Sequence, residues 1–141
     1  MKASLIDMNV KSKHLVNSDL LVYGACISKE QPKLFKEISK GRLPLGVCLE
    51  GHHMNVVGFK IATILKTARP KSMAVLTVDG SPHCVQLHFA AQQAKLLTDS
   101  KIELSHYVVE KGELIKLTPE SIRVARHLST VEKSLRCKEG T

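Results

Sequence analysis

Between Leu20 and Leu97 the chain alternates three times between a short apolar run and a longer stretch with helical spacing, and this alternation limits the fold more than any other feature. Leu20-Leu21-Val22-Tyr23 stops at Gly24-Ala25-Cys26. Leu45-Gly46-Val47-Cys48-Leu49 stops at Glu50-Gly51-His52-His53, and Met73-Ala74-Val75-Leu76-Thr77-Val78 runs into Asp79-Gly80-Ser81-Pro82. Continuous apolar runs of this length, closed by glycine turns, are the pattern of strands covered on both faces.

A helix is expected after each strand. Ser28 stands three residues before Gln31, the spacing of a capping box, and Leu34, Phe35 and Ile38 then recur at helical spacing until Gly41. The second helix is expected from about Met54 to Arg69, with Pro70 closing it. Its Val56, Val57, Phe59, Ile61, Ile64 and Leu65 cover much of the girth, which predicts extensive burial. The third carries Val85, Leu87, Phe89, Ala90, Ala94 and Leu97, with Ser81 as N-cap and Pro82 at the first helical position. Strands separated by helices in this way pair in parallel through right-handed crossovers.

After Asp99 the pattern changes. Ile102 to Val109 and Glu113 to Leu117 flank Lys111-Gly112 and read as a hairpin at the sheet edge. Thr118-Pro119-Glu120 repeats the cap-plus-proline signal, and Ile122, Ala125, Leu128, Val131 and Leu135 then form one helical stripe. The expected architecture is a three-layer α/β domain over residues 1–141. A mostly parallel sheet from three βα units is followed by a hairpin and a C-terminal helix, with residues 1–18 forming an arm or an edge strand.

A chain of 141 residues, 43% of them hydrophobic, is large enough to enclose a core without disulfides. Met1-Lys2-Ala3-Ser4 leads into mixed polar sequence, and no apolar run approaches a membrane span, so a cytoplasmic protein without a membrane partner is expected. A net charge of +8 favours an acidic partner. Arg123, Arg126, Lys133 and Arg136 give the last helix a basic face that either stays solvated or meets such a surface. With two Tyr, three Phe and no Trp, a stacking platform for nucleic acid is poorly supplied. Oligomerisation is left open.

The chemistry concentrates at the strand ends. In open α/β sheets ligands bind outside the carboxyl ends of the strands, where loops converge and helix N-termini point inward. Cys26 follows the first strand, Cys48 ends the second, and Cys84 opens the third helix. His52, His53 and His83 lie in the same connections, and His88 is one turn beyond Cys84. In a reducing cytosol such cysteines are thiols or ligands rather than disulfides. Thiolate and imidazole together are the donors of zinc and iron–sulfur sites, although cysteine also packs as a small apolar residue and no Cys-x-x-Cys pair is present. His14, His106 and His127 are expected to be surface or packing residues, and Cys137 a bystander.

The stretch from Cys48 to His88 resembles the small iron–sulfur delta subunit of methyl-viologen-reducing hydrogenase and heterodisulfide reductase. The likeness rests on Val47-Cys48-Leu49-Glu50-Gly51, the helix that follows, Val75 to Val78, and Gly80-Ser81-Pro82-His83-Cys84, with Cys26 where that family has its first strand-end cysteines. The family uses cysteine pairs at two of these places, and only Cys26, Cys48 and Cys84 carry over. The resemblance implies electron transfer within a redox complex.

Three functions are therefore in view. The first is a redox or metal-binding module holding an iron–sulfur cluster or zinc through Cys26, Cys48 and Cys84, with His83 or His52 completing the shell, and a redox protein with an acidic surface as partner. The second is an anion- or nucleotide-binding regulatory domain using the turns at Gly51, Gly80 and Ser81, despite the lack of a Walker or dinucleotide-binding glycine fingerprint. The third is a cysteine-dependent enzyme with Cys84 as nucleophile, His52, His53 or His88 as base, and Asp79 or Glu50 as orienter.

Overall fold

A computed structural model describes residues 3–139. Its strands are β1 (Ala3–Ser4), β2 (Asp19–Gly24), β3 (Leu43–Val47), β4 (Ser72–Val78), β5 (Glu103–Glu110) and β6 (Glu113–Leu117). Its helices are α1 (Ile27–Glu30), α2 (Pro32–Ile38), α3 (Met54–Thr67), α4 (Cys84–Leu97), α5 (Pro119–Ala125) and α6 (Leu128–Glu139). The strands form one sheet in the order β1-β3-β2-β4-β5-β6, parallel throughout except for the antiparallel β5–β6 pair. The expected α/β architecture is thus observed, with residues near the N-terminus supplying a short edge strand. Among the described residues no helix is long and apolar enough to cross a membrane.

Successive strand side chains point to opposite faces, and the apolar runs fill both. Leu20, Val22, Leu45, Met73 and Val75 pack against Val57, Ile61 and Ile64 of α3 and Leu87, Ala91 and Ala94 of α4. Leu5 and Leu15, from the segment after β1, are fully buried in the same core. Leu21, Tyr23, Ala74 and Leu76 face the other way, against Ile27 and Phe35 of the shorter α1–α2 layer. The hairpin turns through Lys111 and Gly112, both at positive φ, the two-residue geometry whose twist matches that of its strands.

Three local readings change. The first expected helix is broken, because Pro32 cannot donate to a continuing ladder. α1 therefore ends at Glu30 and α2 begins at Pro32, while Ser28 donates to the Ala25 carbonyl instead of capping. The last helix is also two: α5, capped by Thr118 through the Ser121 N–H, and α6 after a break at Arg126-His127. Of its stripe only Ile122 is buried, whereas Leu128 and Leu135 are exposed. On α3, Val56 and Phe59 face outward, so its burial is one-sided.

Gly46 sets the spacing of the smaller layer. It pairs with Tyr23 across β2–β3, and a Cβ there would come 3.0 Å from the tyrosine ring, which itself packs on Phe35 with ring centroids 4.5 Å apart. Gly46→Val should therefore push the Tyr23 ring off Phe35 and destabilise the protein by about 1–3 kcal/mol, read as a lowered urea midpoint. An unchanged midpoint would contradict this packing account.

Candidate functional site at the strand ends

The strand order reverses between β2 and β4. β3 lies on one side of β2 and β4 on the other, so the connection leaving β2 and the connection leaving β4 run in opposite directions. A crevice opens at such a switch point. Here it is a cavity of about 210 Å³ lined by Gly24, Cys26 and Ile27 after β2, by Val47, Cys48 and Glu50 after β3, and by Thr77, Ser81, His83 and Cys84 after β4. The three strand-end cysteines thus share one cavity. Cys84 spans the switch: its sulfur lies 3.7 Å from where a Cβ on Gly24 would stand.

The local structure explains these placements. Ser81 accepts the Cys84 N–H through its hydroxyl at 3.2 Å, which fixes the start of α4. Pro82 and His83 form the turn before that helix instead of its first residues. The Cys48 carbonyl accepts the N–H groups of Gly51 and His52 at 3.1 and 2.9 Å, folding that connection back beside β3. Cys26 is exposed at the mouth, and Cys48 and Cys84 are half-buried.

The thiol of Cys26 is pushed above its ordinary value, first by desolvation, then by the Glu30 carboxylate and by Cys48 and Cys84. Each of these neighbours disfavours a second negative charge. Two carboxylates, Glu30 and Glu50, line the cavity, and Glu30 was not foreseen as a site residue. The signal for it was its position one helical turn after Cys26, whose carbonyl accepts the Glu30 N–H at 3.0 Å.

Other expected residues lie elsewhere. His52 is exposed and outside the cavity lining, so it does not complete the shell in this arrangement. His53 caps α3, its Nδ1 accepting the Asn55 N–H at 3.1 Å. Gly51 is exposed outside the cavity, and Gly80, at φ +86°, opens onto a neighbouring cavity together with Asp79 and α5. The two glycine turns therefore do not converge on one anion, and of the proposed catalytic partners of Cys84 only Glu50 shares its cavity, while His52, His53, His88 and Asp79 lie outside its lining. Cys137, His14 and His127 are exposed.

His88 turns away from the thiols into the core. Its Nε2 lies 2.7 Å from Thr77 Oγ1 and its Nδ1 lies 2.9 Å from Nδ1 of His106, and all three residues are buried. The signals for this chain were a threonine inside an apolar strand, a histidine on the apolar side of α4 and another at an inward position of β5. Burial, followed by the neighbouring His106, holds His88 down to about 3. Burial, followed by the Lys95 ammonium, holds His106 down to about 4.

The site and sheet together define a doubly wound α/β protein with its crevice at the switch point between β2 and β4. The chain matches the model of the Rossmann-like domain family over residues 12–139, and it belongs to that family. Neither a curated protein nor a solved structure matches it.

Two measurements check this electrostatics. Below about pH 6.5 the unfolded chain protonates both His88 and His106 while the folded chain keeps them neutral down to about pH 4. Stability should therefore fall as pH drops through that window, by up to about 3 kcal/mol per pH unit for the pair. Urea midpoints and histidine NMR titrations report it, and either ring titrating above pH about 5.5 would refute the account. Second, iodoacetamide should label Cys26 at neutral pH more slowly than the unfolded chain's thiols, because the thiolate is the nucleophile. Faster labelling of folded Cys26 would reverse the assigned shift.

Proposed function

We propose that the switch-point cavity binds a soft metal ion through Cys26, Cys48 and Cys84, and that the protein is a small metal-binding or redox module. The observation that carries this reading is the convergence of three thiols from three separate strand ends on one cavity. The donors around them are of the right chemistry: the His83 imidazole and the Glu30 and Glu50 carboxylates can fill the positions that thiols leave open. A mixed set of this kind suits zinc better than an iron–sulfur cluster, which is usually held by four thiolates.

Among the described residues no three such side chains stand together at ligating distance, so binding requires side-chain rotation around the cavity. The carboxylates also disfavour the alternative of a free anion in the same crevice, since like charge repels it. A partner with an acidic surface would meet the exposed Arg123, Arg126, Lys133 and Arg136, and electron transfer to it would require iron in the site, because zinc is redox-inert.

Cobalt(II), a zinc surrogate, should give thiolate charge-transfer absorption on titration into the reduced protein. Its affinity should rise with pH, because each thiol must lose a proton before it can ligate. Cys84→Ser should weaken binding by at least about tenfold while leaving the thermal midpoint of the metal-free protein nearly unchanged. If Cys26, Cys48 and Cys84 are all replaced by Ser and the folded product binds cobalt as tightly as before, the reading is wrong.

A further inference from the structure

At the opposite end of α4 a second cavity, of about 290 Å³, is lined by Gln92, Lys95, Leu96, Asp99, Leu104 and His106 among others. His106 is completely buried, its Nδ1 is committed to His88, and its Nε2 is the one buried side-chain nitrogen or oxygen without a hydrogen-bond partner among the described residues. A buried polar atom left unpaired is costly, and native proteins seldom keep one without a ligand, water or function to answer it.

The rest of the lining narrows the ligand. Leu96, Leu104 and Pro119 make it mainly apolar. Its charged groups, Lys95 and Asp99, are of opposite sign, and Asp99 lies 4.0 Å from the ammonium of the exposed Lys101. No net charge in the lining calls for an ionic ligand, and the floor is a neutral imidazole. The size is at the small end of ligand pockets.

We propose that this cavity binds a small neutral molecule with an apolar body and a single hydroxyl, the hydroxyl pairing with Nε2 of His106. A hydroxyl suits the position because it can donate or accept. When it donates, Nε2 is the acceptor, so His106 carries its proton on Nδ1 and donates to Nδ1 of His88. His88 in turn donates from Nε2 to Thr77 Oγ1, which frees the threonine hydroxyl proton. Thr77 also lines the thiol cavity, so occupancy at one end of the chain is felt at the other.

Phenol is the probe, titrated into the full chain with side-chain nitrogen NMR of the histidines as readout. Benzene, the same body without the hydroxyl, and benzoate, the same body charged, serve as comparisons. Phenol should give a saturable shift at His106 Nε2 accompanied by one at the His88 nitrogens, with benzene and benzoate at least about tenfold weaker. Leu96→Ser, at an exposed wall position, should weaken phenol while leaving the fold intact. Equal binding of benzene or benzoate would overturn the proposal. So would a His106 signal that phenol leaves unmoved, as expected if Nε2 meets only a trapped water.

Discussion

Parallel pairing of β2 with both β3 and β4 is the constraint on which the structure depends. A parallel neighbour cannot be reached by a tight turn, so each pairing requires a crossover that packs on a face of the sheet. Placing the first neighbour on one side of β2 and the second on the other makes consecutive connections diverge, and the divergence leaves a crevice that neither layer fills. The cavity holding Cys26, Cys48 and Cys84 exists because of that divergence. The same central position of β2 explains why its side chains are buried on both faces.

The two layers are unequal, and the chemistry follows that inequality. The α3–α4 layer contains a deep apolar core, yet it also encloses the Thr77–His88–His106 chain, a line of neutral polar groups in an otherwise oily region. Each unpaired member of such a chain is costly, because an interior of low dielectric strengthens the bonds made and penalises those missing. Three of its ring nitrogens are satisfied and the fourth, His106 Nε2, is not. The thinner α1–α2 layer is held instead by Tyr23, Phe35 and the absence of a side chain at Gly46.

At the crevice, desolvation first and then the Glu30 carboxylate, Cys48 and Cys84 push the Cys26 thiol above its ordinary value. Negative charge beside a thiol disfavours its ionisation, and a bound cation reverses that preference. This is the physical link between the geometry and the proposed role: the site is electrostatically unsatisfied toward positive charge. The exposed Arg123, Arg126, Lys133 and Arg136 of the α5–α6 region lie outside that cavity.

The apolar runs, glycine stops and cap-plus-proline signals determined the element order, the parallel core and the hairpin, because these depend on periodicity and local backbone preference. They also located the three thiols at strand ends, which follows directly from where each run stops. Only the tertiary structure decided which neighbours fill the crevice. His83 joined it while His52 stayed outside and His53 became a cap, distinctions of a few ångströms that spacing does not encode. Pro32 and the break at Arg126-His127 divided helices that the apolar stripes made continuous. The pairing of His88 with His106 joined residues from a helix and a strand whose contact depends on how α4 lies on the sheet, and no pattern along the chain records that.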